Sequence, residues 1–297
     1  MAHTSLGITL TYSGELRAAL EHCTQGVSVF SPAERLPAFL AQARSSCRTW
    51  LALILALTGR PEPAFRLSNE AVNASIESRQ TVALSNALIG AGVVALVLAD
   101  STVAKARSEE LIAVAERERF VLHLSWGRIQ HGYSLALEGN TEPGIAEMLE
   151  GLTTVHAAHA LAALAQSHCW LSESYAAAGR AEDARKALAD GFAVMENTGE
   201  RMFEAELHRV RGEIALISEP PELSEAERSF RIAIDTARSS GAKLWEIRAA
   251  NSLAALLSKQ GRQQEAVGLL APVYASVPGA DIADLRRAKS ILDQLGA

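Results

Sequence analysis

Three glutamates are the first candidates in this sequence for acid/base catalysis. Glu173, Glu206 and Glu213 lie in helical stretches where a carboxylic acid and a carboxylate could work as a pair. Such a pair requires burial beside a pocket and two pKa values that differ. Arg209 and Arg211 lie beside them at helical spacing, which favours a solvated helix face with salt bridges. We therefore expect a charged surface and no acid/base site.

A second set of candidates contains side chains that metals prefer. The set comprises His156, His159, His168 and Cys169. No carboxylate pattern such as H-E-x-x-H completes it, and His156 and His159 flank a predicted turn. His123 and His131 share one predicted helix and likewise lack a further ligand. We expect these histidines to be solvated or packed in the interior, with no metal bound.

Glycine patterns give no catalytic signal either. Gly90-x-Gly92 runs into an apolar stretch without a preceding strand or a third glycine, so it predicts close helix packing rather than a nucleotide-binding loop. No G-x-x-x-x-G-K-[ST] run is present to cradle phosphates, and no G-x-S-x-G run is present to carry a nucleophile. The sequence thus predicts no catalytic residue, no cofactor and no metal. An all-helical enzyme of unfamiliar chemistry is a distant alternative.

Composition and charge limit the classes of partner. Apolar residues make up 48% of the 297 residues but aromatic residues only 5%, which suits helices packed through alanine. The net charge of −6 is spread along the chain without a basic block, so direct binding of nucleic acid is not expected. The three cysteines form no CxxC pair and no signal peptide is evident, which predicts a cytoplasmic protein. The apolar run Thr81–Ala99 contains polar residues, so it predicts a buried helix rather than a membrane span.

Helical repeats are visible in the spacing of the turn glycines. These are Gly14, Gly59, Gly139, Gly179 and Gly261. The gaps between them are about 40 residues or about twice that, which indicates a two-helix repeat longer than the roughly 34-residue tetratricopeptide unit. Two turns must then have lost their glycine, one near Asp100 and one in Ser218–Ser224.

Small residues recur at fixed distances from each turn, where helices are expected to cross. Ala184, Gly191 and Gly212 are examples, and apolar positions between them repeat every three or four residues. The pattern predicts one domain of seven hairpins, over residues 1–30, 35–77, 79–117, 119–155, 158–197, 199–239 and 241–277. A final helix at 281–295, with Asp281 as its N-cap, is expected to cover the last hairpin. The first hairpin lacks such a cap, so the array looks cut from a longer chain or paired with another copy.

A family resemblance is carried by the C-terminal part of the chain. The segments ENTGERMFEAELHRVRGEIAL at 196–216 and EAERSFRIAIDTARSSGAKLWEIRAANSLAALLSKQGRQQEAVGLLAPVYASV at 225–277 resemble the C-terminal tetratricopeptide arm of bacterial class III adenylate cyclases. The same arm occurs in related predicted signal-transduction ATPases. The resemblance implies an all-α, tetratricopeptide-like solenoid that forms a right-handed superhelix. It implies no catalysis here, because the cyclase and P-loop ATPase motifs are absent.

The resemblance also selects a candidate binding groove, because the first helix of each hairpin lines the concave face of tetratricopeptide arrays. Transferring that register gives Arg48, Trp126, Tyr133, Glu173, Glu206, Arg209, Glu213, Arg248 and Asn251. An aromatic residue with Arg and Asn suits an extended peptide or a small effector. The plainer interpretation of Trp50, Trp126, Trp170 and Trp245 is packing between helices.

The sequence therefore predicts a non-catalytic scaffold or sensing module. Its expected partner is a protein segment, or else a small effector, bound in the concave groove. One alternative is a structural rod. Another is an oligomer formed through the uncapped first hairpin.

Overall fold

The structure, a computed structural model, describes residues 2–29, 38–277 and 281–296. In these ranges the chain forms fifteen α-helices and no strand. The chain divides into two compact units: Met1–Ala56 with Pro61–Ala162, and Leu57–Arg60 with Ala163–Ala297. Each unit is described separately below.

The first unit is built from consecutive helix pairs. Its helices are α1 (Ala2–Tyr12), α2 (Leu16–Ser28), α3 (Ala38–Leu57), α4 (Pro61–Glu77), α5 (Thr81–Val97), α6 (Ser101–Glu118), α7 (Val121–Leu137) and α8 (Thr141–Ala157). Helices α1 and α2, α5 and α6, and α7 and α8 pack against each other as hairpins. The third and fourth helices are joined by a buried hydrogen bond of 2.8 Å between the hydroxyls of Ser45 and Ser75.

The second unit continues the same pairing. Its helices are α9 (Leu164–Ala177), α10 (Ala181–Thr198), α11 (Glu204–Ile217), α12 (Leu223–Ser240), α13 (Lys243–Lys259), α14 (Gln263–Ala275) and α15 (Ala283–Leu295). The pairs α9 and α10, α11 and α12, and α13 and α14 form hairpins, and α15 packs against α13 and α14. The predicted all-α hairpin fold is confirmed. The prediction of one continuous domain stays a prediction.

The turns inside the hairpins follow the predicted spacing. All five predicted turn glycines have a φ between +73° and +91°, a backbone region that other residues enter only at a cost. At the turn before Asp100, Ala99 takes this conformation with a φ of 57°. Asp100 then caps α6, because its side chain accepts a 3.0 Å hydrogen bond from the backbone N–H of Val103. The loop between α11 and α12 contains no left-handed residue in the described chain. Both predicted losses of glycine are confirmed.

A second series of left-handed residues joins one hairpin to the next. It consists of Arg79, Arg119, His159, Gly199 and Gly241, again about 40 residues apart. The first three members carry side chains, so glycine counting could not reveal this series. The predicted turn beside His156 and His159 is one of these connections.

Glycines permit close helix approach in both units. A Cβ atom added at Gly90 would collide with Thr49, and one added at Gly92 would collide with Gln130. In the second unit, a Cβ at Gly212 would lie 2.5 Å from the Phe230 ring. The packing interpretation of the Gly90-x-Gly92 pattern is therefore confirmed.

The apolar run that begins at Thr81 forms α5, and most of its alanine, valine and leucine side chains are buried in the first unit, although Val82 is exposed. This confirms a buried repeat helix. None of the helices in the described ranges is long and apolar enough to cross a membrane.

Helix α15 buries one apolar stripe, as predicted for a terminal helix. Ile282, Leu285, Ala288 and Leu292 are buried. The prediction that Asp281 caps this helix is wrong. The N-cap is Ile282, without a side-chain hydrogen bond, because the Asp281 carboxylate accepts a 2.6 Å bond from Arg286 instead.

Candidate functional site: an ion-pair ladder in the second unit

The candidate site is a row of alternating charges that crosses four helices of the second unit. Arg209 of α11 donates to Glu173 of α9 at 2.5 Å, and to both oxygens of Glu206 at 2.9 and 3.1 Å. Arg248 of α13 donates to Glu206 at 3.1 Å and to Asp284 of α15 at 2.7 Å. We call the row Glu173–Arg209–Glu206–Arg248–Asp284 the ion-pair ladder.

Helical spacing explains the local part of this arrangement. Glu206 and Arg209 are three residues apart on α11, so their side chains lie on one face. Glu213 extends the same face, with its carboxylate 3.8 Å from Arg209. Helix α13 supplies Ser252, whose hydroxyl donates to Glu213 at 2.6 Å. It also supplies Asn251, whose amide donates to the Asp284 carbonyl at 2.8 Å.

Burial differs along the ladder. Glu206 is only 3% exposed and Arg209 only 4%. Burial alone would lower the pKa of Arg209, but the charges of Glu173 and Glu206 outweigh it and raise that pKa well above its ordinary value. The expected solvated helix face is therefore wrong for these residues, because α11 is covered by α9 and α13 on the face that carries the charges.

The ladder and its neighbour Glu213 do not balance in charge. Four carboxylates face two guanidinium groups, since Glu213 adds to the three acids of the ladder. Glu173, at one end of the ladder, and the neighbouring Glu213 keep 29% and 33% of their side chains exposed, whereas Asp284 at the other end keeps 10%. The excess negative charge is therefore accessible. The pKa of the buried Cys169 thiol is raised, first by burial and then by the negative charges of Glu206 and Glu173.

An aromatic row packs beside the ladder. The Trp170 and Phe203 rings are 6.1 Å apart, and the Phe203 and Trp245 rings are 5.2 Å apart. The Arg248 guanidinium lies 4.9 Å from the Trp245 ring centroid. Trp245 also donates to the Met202 carbonyl at 3.1 Å. Trp170 and Trp245 are buried, which confirms their packing role and fixes the position of Arg248.

The structure brings together six of the nine predicted groove residues. These are Glu173, Glu206, Arg209, Glu213, Arg248 and Asn251. The other three belong to the first unit. Tyr133 is buried there, Trp126 is partly exposed, and the Nε atom of Arg48 is buried without a hydrogen-bond partner.

Two members of the cluster were missed from the sequence. Asp284 is an acidic residue in the first turn of the last helix and is absent from the predicted groove. Ser252 gave no signal, because serine is common on helices of this chain. A sequence signal for Asp284 was available, since it opens the helix that follows the last hairpin and so faces the same surface as Arg248.

Arg211 does not form the salt bridge that was expected. Its guanidinium lies 4.3 Å from the Phe192 ring centroid, away from the ladder. The expected ion pairing is therefore confirmed for Arg209 and wrong for Arg211.

The histidines occupy separate places. His156 and His159 are exposed, and His168 is buried. The Nδ1–H of His131 donates a 2.7 Å hydrogen bond to the Glu147 carboxylate, which raises the pKa of this histidine above its ordinary value. Within the described ranges, no group of three or more His, Cys, Asp or Glu residues is arranged to hold a metal ion.

The groups of the ladder are charged and joined by hydrogen bonds. Arginine stays protonated at all relevant pH values, so it cannot act as a base. The ladder therefore presents fixed charges and hydrogen-bonding groups, held in place by four helices.

Comparison with known proteins identifies the fold and no family. No protein-family model matches the chain, and nothing among the curated proteins matches it. The apo form of RapI superimposes with a TM-score of 0.60 at 10% identity, over 98% of both chains. Aspartyl phosphate phosphatase F from Bacillus subtilis gives 0.60 at 12% identity, over 95% of this chain and 70% of that one. A Rap protein complexed with Competence and Sporulation Factor gives 0.57 at 9%, over 99% and 98%.

At such low identity these likenesses show the fold alone. The chain has the fold of tetratricopeptide-like helical repeat proteins. The finer resemblance to the arm of class III adenylate cyclases stays a prediction.

Proposed function

We propose that this protein is a non-catalytic binding module that holds a protein segment against the ion-pair ladder of its second unit. The observation that carries the proposal is the continuity of the ladder over α9, α11, α13 and α15. Support comes from the fold, because a Rap protein with the same fold has been crystallised with Competence and Sporulation Factor.

Energetics favour recognition over stability as the purpose of the ladder. Buried ion pairs often contribute no more to stability than well-packed apolar side chains would. Charged groups fixed in place, in contrast, give a binding surface specificity and a fast association rate. Here the four helices and the aromatic row hold the charges before any partner arrives, which lowers the entropy cost of binding.

The charge balance indicates the chemistry of the partner. The two arginines are already bonded to carboxylates, so they offer little to an acidic partner. Glu173 and the neighbouring Glu213 are the most exposed carboxylates of the cluster, which has four carboxylates and two guanidinium groups. The proposed partner is therefore a segment with lysine or arginine side chains.

The proposed role is regulatory. In the cyclases and ATPases whose arm this sequence resembles, the catalytic domain lies upstream of the repeats. We infer that binding at the ladder reports the presence of a partner to a catalytic protein, either fused to this chain or encoded separately.

The test is binding of the full chain to fluorescent peptide libraries of equal length and basic, neutral or acidic composition. We expect basic peptides to bind most tightly, and their affinity to fall as salt screens the charges. A Glu173→Gln/Glu213→Gln double variant is expected to weaken basic peptides by about tenfold. Glu116→Gln is the matched control, because Glu116 is an exposed helical glutamate of the first unit.

Fluorescence anisotropy measures all of these affinities. Equal binding of acidic and basic peptides would contradict the proposed partner chemistry. Unchanged affinity in the double variant would contradict the site.

A further inference from the structure

A second candidate site in the same unit shares no residue with the ladder. Helices α10 and α11 and the start of α12 enclose a cavity of about 300 Å³. Its floor is apolar and includes Leu188, Phe192 and Ile214. The cavity is therefore able to hold a ligand independently of any partner at the ladder.

The wall of the cavity contains a cation without a carboxylate partner. The Arg211 guanidinium is stacked 4.3 Å from the Phe192 ring centroid. It forms no hydrogen bond or ion pair with any residue in the described part of the chain. A guanidinium has five N–H donors, so those of Arg211 are open to water or to a ligand.

The other charged groups of the cavity wall are already paired. Arg185 forms an ion pair of 3.3 Å with Glu222. Glu225 accepts a 3.0 Å hydrogen bond from Arg228. The positive charge of Arg211 also acts on the pKa of Glu225. The lining therefore contains two guanidinium groups and two carboxylates, and Arg211 is the one of these four groups that forms no hydrogen bond or ion pair among the described residues.

The neighbouring histidine adds no charge at neutral pH. His208 lies one helical turn before Arg211 and contacts the Phe192 ring edge to face, with 5.1 Å between the ring centroids. Burial, and then the charge of Arg211, lower the pKa of His208 to about 4. The imidazole packs against Phe192 without lining the cavity and is neutral at pH 7.

We propose that this cavity binds a small monocarboxylate with a compact apolar body. The carboxylate bonds to Arg211, whose planar fork matches it in a bidentate geometry, and the apolar body lies against Leu188 and Ile214. One guanidinium with open N–H donors, in a lining that also contains Glu222 and Glu225, suits a single negative charge better than a phosphate dianion. The volume is at the lower end of the range for ligand pockets, roughly 300–1,000 Å³, so the ligand is small. This inference does not rest on the proposed function.

The first test needs only the unmodified full chain. Isothermal titration calorimetry with 4-phenylbutanoate is expected to show saturable binding, and the matched amide, 4-phenylbutanamide, is expected to bind about tenfold more weakly or worse, since it lacks the charge. Inorganic phosphate is expected not to bind. Equal binding of the acid and the amide, tight binding of phosphate, or no saturable binding of the acid would overturn the proposal.

The second test uses a variant of the cavity wall. Arg211→Gln is expected to weaken 4-phenylbutanoate by about tenfold. Arg287→Gln is the matched control, because Arg287 is exposed on α15 of the same unit. Circular dichroism and a thermal melt verify that both variants fold. If Arg211→Gln folds and keeps its affinity, the site is wrong, whereas peptide binding at the ladder is unaffected by either outcome.

Discussion

Helix α5 of the first unit and helix α11 of the second occupy equivalent places, as the first helices of their hairpins, but differ in what they bury. Helix α5, with the sequence TVALSNALIGAGVVALV, has no charged residue and is buried through alanine, valine and leucine. Helix α11, EAELHRVRGEIALI, buries Glu206 and Arg209 among its apolar residues. Both approach their neighbours through glycine, at Gly90 and Gly212.

The comparison separates what the fold requires from what one unit adds. Close packing through small residues is common to both units and suffices to form hairpins. Buried charge is not needed for that packing, since α5 does without it. The ion-pair ladder is therefore an addition specific to the second unit, which is why we assign it a binding role.

The largest expected effect comes from removing the centre of the ladder. Glu206→Leu leaves Arg209 and Arg248 without their shared carboxylate, which should reduce the free energy of unfolding by about 3–5 kcal/mol. Gln130→Leu is the control in the first unit. Gln130 is also buried and donates a 3.1 Å hydrogen bond to the Ile89 carbonyl, but carries no charge, so its loss should cost roughly 1 kcal/mol. Urea denaturation measures both, and equal losses would remove the distinction between the units.

An intermediate effect is expected where the two units are alike. Gly212→Leu should cost about 1–3 kcal/mol by overpacking against Phe230. Gly92→Leu should cost a similar amount in the first unit, since its new side chain meets Gln130. Gly268→Leu is the matched control, because a Cβ on that helical glycine meets nothing within 4 Å. An unchanged melting temperature for Gly212→Leu would show that the helices there are not in tight contact.

The smallest effect is expected from the His131–Glu147 pair of the first unit, which lies nearer the surface. The hydrogen bond with Glu147 raises the pKa of His131 above its ordinary value of 6.5. This effect is larger than the lowering of the pKa by burial. The pair therefore stabilises the fold fully below about pH 6.5, and this contribution is lost as the pH rises through the raised pKa. His131→Gln should cost at most about 1 kcal/mol in mild acid and less in alkali. Denaturation curves at several pH values check this, and a loss that grows with pH would contradict the sign.

The fold could be predicted from the sequence because its signals are local. Turns need the left-handed conformation, which glycine adopts readily, so Gly14 and Gly179 marked hairpins directly. The turn at Ala99 was found by spacing, although its residue type gave no sign. The predicted hairpin bounds place connections at 77–79 and 117–119, but the left-handed conformation of Arg79 and Arg119 has no signal in the residue type.

The candidate site was predictable only in part. The repeat register placed Glu206, Arg209 and Arg248 on equivalent faces, and these residues do meet. Their burial was not foreseen, because the cover comes from helices remote in sequence. The role of Asp281 was mistaken for a related reason: a nearby arginine competed with the backbone for its carboxylate.

The left-handed turns have a consequence for redesign of this protein. Arg79, Ala99 and Arg119 hold a conformation that costs a residue with a side chain roughly 1–2 kcal/mol. Glycine at these joints would relieve that strain without touching the ladder or the cavity. Glycine substitutions at these joints would therefore add stability that offsets the cost of changing residues of the proposed binding surface.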